Sequence, residues 1–168
     1  YKDRGTPEPR QLRTDSEPWG RSDLRPHEAA SVQTANELAR LTARVIDWAS
    51  ARGMTWCLEN PRNSRMWSIP VVAALEALPG AEAVDYHACI HGGLRKKAQR
   101  LLTNCPGLGA IRGECQGGHP NLPWVPIFER RQFTGFATQH EAEYPELFCE
   151  RYMDGLAPVH KRGPALSG

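Results

Sequence analysis

Three groups of residues in this 168-residue chain have the types and spacing that chemistry requires. The first is Glu59-Asn60-Pro61, predicted at the carboxyl end of a strand, which is where open α/β sheets place the groups that contact ligands. Partial desolvation raises a carboxyl pKa and lets the acid share a proton with a ring nitrogen, while the adjacent amide orients the loop. An Asx-type cap on a turn ahead of Pro61 has the same composition. The second group is Arg95, Lys96, Lys97 and Arg100, behind the hinge Gly92-Gly93. Glycines let backbone approach a phosphate closely, and the cations position a nucleic acid without reading its sequence. A solvated basic turn reads alike. The third group is His87, Cys89, His91, Cys105, Cys115 and His119. Zinc asks for four such donors, usually in tight pairs, and the pairs here are poorly spaced. The expectation is no metal; His87, Cys105, Cys115 and His119 are the set that would serve if one bound. Trp67 and Trp124 are read as packing anchors, with base stacking as the alternative.

The elements that must carry these groups follow from periodicity. Apolar or small residues at Val32, Ala35, Leu38, Ala39, Thr42, Val45, Ile46 and Ala49 predict a helix over 27–52, with Arg40, Arg44 and Asp47 facing away, Pro26 near its first turn and Gly53 as its stop. Residues 54–58 predict a short buried strand. Residues 69–78 predict a second helix between Pro70 and Pro79-Gly80, and 83–89 and 100–103 predict two more strands. Residues 104–134 carry glycines and prolines without a sustained period and predict a long irregular loop. Thr138 with Glu141 makes a capping-box pattern, and Tyr144, Leu147, Phe148 and Tyr152 mark one face of a last helix from about Pro145 to Asp154. Residues 1–26 predict an extended Pro- and Arg-rich segment lying over something else, 27–154 one α/β unit, and 155–168 a disordered tail.

Composition sets the outer bounds. Pro and Gly number 14 and 15, 40% of residues are hydrophobic and the formal net charge is +2, so global charge does not draw polyanions and local clusters must. No run of apolar residues approaches the roughly 18 needed to cross a bilayer. Five cysteines without a CxxC pair disfavour a secreted disulfide framework and place the chain inside a cell as free thiols. Arg95-Lys96-Lys97 is too short to count as a nuclear address, although the nucleus is not excluded.

Taken in order, these features resemble the middle of the cytosine-5 DNA methyltransferase catalytic domain: Glu59-Asn60-Pro61 after a strand, a helix, a strand running to His91-Gly92, then Arg95-Lys96-Lys97-x-x-Arg100 into Leu101-Leu102-Thr103-Asn104. Glu59-Asn60-Pro61-x-x-Ser64-x-x-Trp67 is similar to divergent methyltransferase-like proteins of protists and mobile elements. The resemblance covers about residues 32–104. It implies a partial Rossmann-like sheet, about three strands flanked by helices with long irregular loops, partnered by a missing N-terminal half and by DNA. It also implies methyl transfer from S-adenosylmethionine to a flipped cytosine, Glu59 contacting N3 and the exocyclic amine, Asn60 holding its loop, and Ser64, Arg95, Lys97 and Arg100 on the substrate strand. The family's Pro-Cys nucleophile and glycine-rich cofactor loop have no counterpart here, which fits either truncation ahead of Tyr1 or an inactive relative. Cys57, the sole cysteine before Glu59, is expected to pack on the opposite or inward phase of its strand. Two other readings stand beside this one: a non-enzymatic nucleic-acid-binding module of mobile-element origin, and a small zinc-stabilised module.

Overall fold

The computed structural model describes residues 10–119, 126–129, 132–136 and 143–160. Helix α1 spans Pro26–Ser50. Pro26 occupies a position where a missing N–H costs nothing, and the Glu28 carboxylate accepts the Arg25 N–H at 2.8 Å, satisfying an orphan donor of the first turn. Its inner face is Val32, Asn36, Ala39, Ala43, Ile46 and Ala49, where the alanines permit a close approach to the layer beneath. Its outer face differs from the expectation. Leu38, Leu41, Val45 and Trp48 are all more than half exposed, an apolar stripe between the expected charges, and the Arg52 guanidinium lies 4.3 Å from the Trp48 ring centroid. Residues 10–25 lie over α1 as expected of an extended segment. Arg13 donates to Asn36 Oδ1 at 2.6 Å and to the Pro18 carbonyl at 2.8 Å, and Asn36 donates to the Trp19 carbonyl at 2.7 Å.

Three strands form the sheet: β1 (Cys57–Pro61), β2 (Glu82–His87) and β3 (Ala98–Thr103). β3 is central and antiparallel to both neighbours, Glu59 facing Leu101 and Val84 facing Leu101 from the other side. The architecture is thus a mixed helix and strand fold with a small antiparallel sheet flanked by helices. β1 begins three residues later than expected and takes in Glu59-Asn60-Pro61, so the tripeptide is part of the ladder and does not follow it. An edge position makes this possible, since Pro61 has no N–H to give to a second neighbour.

Side chains alternate across the pleat, so this register sorts the sheet into two cores. Leu58, Leu102 and Ala83 pack toward α1 with Trp56, Ile69, Val72 and Leu75. Cys57, Leu101, Val84 and Tyr86 face the other way, toward Leu108, Ile111 and helix α3 (Glu146–His160), which brings Phe148, Tyr152 and Leu156.

The second predicted helix is one α-helical turn, α2 (Pro70–Ala73), continued as a 3₁₀ turn over Ala74–Ala77. The predicted irregular loop contains a 3₁₀ helix at Pro106–Ile111 and a hairpin of β4 (Pro126–Glu129) and β5 (Gln132–Phe136). The predicted tail also requires correction: α3 continues to His160, with Gly155 buried. The cause is a backbone approach that sequence periodicity does not register. A Cβ on Gly107 would fall 2.1 Å from the Gly155 carbonyl oxygen, so two glycines let the 3₁₀ helix and α3 touch. Residues 161–168 and the Thr138/Glu141 pattern lie outside the described residues. Among the described residues no helix is long and apolar enough to cross a membrane.

Candidate functional site

Glu59 stands on the α3 side of β1. Gln99 Nε2 donates to its Oε1 at 2.5 Å and the Tyr144 hydroxyl donates to its Oε2 at 3.1 Å. Gln99 is on the same face of β3, two residues from Leu101, and is almost fully buried. Its own Oε1 is buried with no donor among the described residues. The Glu59 carboxylate opens into a cavity of about 310 Å³, walled by Cys57, Leu101, Tyr144, Phe148, Tyr152 and Met153. The aromatic wall is ordered: Tyr144 stacks on Phe148 with ring centroids 5.1 Å apart, and Phe148 stacks on Tyr86 at 5.3 Å. Burial and the neighbouring Glu59 carboxylate push the Tyr144 hydroxyl up to about 12, and burial raises Tyr152 well above its ordinary range, so both phenols remain protonated donors at neutral pH.

Cys57 shares this face, since residues two apart on a strand point the same way; of the expected opposite or inward phase, it takes the inward one and packs against the α3-side core. Burial pushes its thiol up, which suits a packed sulfur and opposes a ready thiolate nucleophile.

Asn60, Ser64 and Trp67 serve the opposite side. Asn60 Nδ2 lies 2.9 Å from Met66 Sδ, Ser64 Oγ accepts the Met66 N–H at 3.2 Å, and Trp67 Nε1 donates to the Pro61 carbonyl at 2.9 Å. The Asn-Pro-x-x-Ser-x-x-Trp part of the spacing is therefore the spacing of one self-bonded turn, with Ser64 as cap of the Arg65–Ser68 3₁₀ helix. Arg100 pairs in register with Asn60, on the face away from Glu59. It holds Asp85 in a two-pronged contact, Nε to Oδ1 at 2.7 Å and Nη2 to Oδ2 at 3.0 Å, and its guanidinium keeps the Asp85 carboxyl below the ordinary range. Arg95 is buried, Lys96 is exposed and Lys97 is half-buried; none of Arg95, Lys97 and Arg100 is among the described residues lining the Glu59 cavity. Glu59 and Arg100 face opposite sides of the sheet for a geometric reason: positions 59 and 100 have opposite parity in the ladder.

His87, Cys105, Cys115 and His119 do not gather as a set. Cys105 is in the α3-side core, its thiol 3.5 Å from the Gly155 carbonyl. His87 Nδ1 accepts the Cys115 N–H at 2.9 Å. Cys115 and His119 do meet, and Cys89 joins them in place of the other two. His91 is part of the core: Arg151 donates to its Nδ1 at 2.8 Å, leaving Nε2–H to donate to the Ile111 carbonyl at 2.8 Å.

Gln99 and the aromatic wall escaped the sequence reading as site residues. Gln99 carried a usable signal, being two positions before Leu101 and adjacent to the strand predicted over 100–103. Tyr144, Phe148 and Tyr152 were legible as one helical stripe, but not the partner they cover. Comparison with known proteins finds no matching family model, no matching curated protein and no matching solved structure.

Proposed function

We propose that the Glu59 cavity binds a planar, amino-bearing heterocycle of the cytosine type, and that the chain is the base-binding part of a methyltransferase-like domain acting on DNA. The observation that carries this is a carboxylate with two fixed donors at the mouth of an aromatic cavity. A carboxylate has about four acceptor positions, so two remain after Gln99 and Tyr144 for an exocyclic amine and for a proton shared with the adjacent ring nitrogen. At about 310 Å³ the cavity sits at the small end of ligand pockets, which run from roughly 300 to 1,000 Å³, and suits one ring system better than a nucleoside cofactor. On this reading the three strands belong to one end of a larger Rossmann-like sheet.

S-adenosylmethionine, the methyl donor that the resemblance implies, finds no seat among these residues. In Gly107-Leu108-Gly109, which has the Gly-x-Gly composition of a cofactor loop, Gly107 and Leu108 are used for packing against Gly155. No methyl-transfer step is therefore assigned to this chain's side chains; their role is to bind and orient the base.

The test is titration of cytidine, thymidine and a cytosine-containing single-stranded DNA into the chain and its Glu59→Gln variant, followed by NMR and calorimetry. Cytidine should shift resonances of Tyr144, Phe148 and Tyr152 while thymidine does not, and Glu59→Gln should weaken binding by about tenfold or more, the loss of a charge-assisted contact. Binding that survives Glu59→Gln unchanged and falls steeply with salt would replace this reading with phosphate contacts alone.

A further inference from the structure

Away from the Glu59 cavity, Cys89 and Cys115 Sγ and a His119 ring nitrogen lie within 4.8 Å of one another. The three come from segments the fold holds together for other reasons. Cys89 is in the 3₁₀ turn Ala88–His91 that ends β2. Cys115 follows a backbone splice onto β2, in which the His87 N–H donates to the Gly113 carbonyl at 3.0 Å and the Gly113 N–H to the Asp85 carbonyl at 3.2 Å. The Cys115 N–H then donates to His87 Nδ1 at 2.9 Å, which fixes the direction of the chain at the sulfur. From there Gly117 and Gly118, with φ of 85° and 80°, reverse the chain so that His119 Nε2 comes to 3.2 Å from Cys115 Sγ. The Gly117 N–H points back at that sulfur at 3.4 Å.

We propose that Cys89, Cys115 and His119 are three protein ligands of a zinc-class ion that locks the loop at 113–119 onto the end of β2. The donor set is the first argument. Two sulfurs and an imidazole are soft to borderline ligands, which select zinc over magnesium or calcium. Reach is the second. Zn–S and Zn–N bonds of about 2.3 and 2.0–2.1 Å in a tetrahedron put sulfurs about 3.7 Å apart and sulfur and nitrogen about 3.6 Å apart. The Cys115–His119 separation of 3.2 Å needs to open by roughly 0.4 Å, and the others, at most 4.8 Å, to close by no more than roughly 1.2 Å, to meet that geometry. The third argument is packing: Glu114, Gln116, Gly117, Gly118 and His119 are exposed, and Cys115 is the one buried side chain from 114 to 119, so this loop has little apolar contact to order it. A donated N–H such as that of Gly117 lowers the cost of the negative charge a thiolate brings.

The experiment uses the whole chain, reduced and stripped of metal, titrated with zinc and with cobalt(II) as a spectroscopic stand-in. Stoichiometric uptake, tetrahedral cobalt bands and a sulfur-to-cobalt charge-transfer band are expected. Cys89→Ser, Cys115→Ser and His119→Ala should each lose tight binding, whereas Cys149→Ser keeps it. Because a ligand variant can lose binding by misfolding, the wild-type chain supplies a second measurement. Zinc should slow alkylation of Cys89 and Cys115, read by mass spectrometry, and leave the exposed Cys149 unprotected. Reduced wild-type chain that takes up no zinc overturns the proposal. So does zinc uptake that leaves Cys89 and Cys115 as reactive as before, or recovery of the two as a disulfide whose reduction restores no metal binding.

Discussion

Glu59 and Gln99 form a pair whose two members depend on each other for satisfaction. The carboxylate would be partly buried without its amide donor, and the amide N–H would be orphaned without the carboxylate. Gln99→Glu would bring two carboxyl groups to the same 2.5 Å contact. It should destabilise the fold by roughly 1–3 kcal/mol at neutral pH, where both are charged. The deficit against wild type should shrink as pH falls toward about 5, because protonating one carboxyl removes the like-charge repulsion and restores an O–H donor to the contact. Urea unfolding of both proteins at the two pH values measures this, and a deficit independent of pH would mean that the two groups do not share a contact.

The elements meet at two close approaches of different kinds. α1 uses alanines against the first core, while the 3₁₀ helix at Pro106–Ile111 and α3 use glycines, backbone against backbone. A methyl group on Gly107 has nowhere to go, since its nearest neighbour is main chain and not the end of a flexible side chain. Gly107→Ala should therefore cost roughly 1–3 kcal/mol, the cost of overpacking. Gly109 is the internal comparison: its nearest atom would be a Glu82 carboxylate oxygen at 3.8 Å, an ordinary contact, so Gly109→Ala should stay within about 0.5 kcal/mol of wild type. Thermal melts of the two variants side by side decide it. Equal losses would show that helix formation, and not the Gly107–Gly155 contact, sets the cost.

Across the whole molecule, charges stitch the layers at their margins. Glu28 ties the start of α1 to residues 10–25 through Arg25 and Arg10, and Asp85 ties β2 to β3 through Arg100. The Arg25 N–H holds the Glu28 carboxyl below its ordinary 4.5, and the Arg100 contact holds Asp85 below 3.8. A carboxyl whose folded-state pKa is depressed contributes stability that is complete above its unfolded value and lost as pH falls through the folded one. Stability should thus be steady above about pH 5 and decline progressively below about pH 4. Asp85→Asn should lower stability at neutral pH and flatten the acid slope, as measured by urea midpoints across that range. An unchanged slope would remove Asp85 from the account.

The amino-acid order alone determined the long helix, the three strands of the sheet and the overlying N-terminal segment, and singled out Glu59 as a candidate, because each rests on periodicity, a proline or glycine stop, or a residue type within a short window. Which groups share a surface was decided only in three dimensions. A strand's side chains alternate, so one residue of register sends Asn60 and Arg100 to the α1 side while Glu59, Gln99 and Cys57 face α3. Periodicity also cannot see contacts made without side chains, which is why the glycine seam carrying α3 on to His160 leaves no mark in it and 155–168 reads as a disordered tail. The same holds for Cys89, Cys115 and His119, separated along the chain by 26 and 4 residues and brought together by a main-chain splice onto β2.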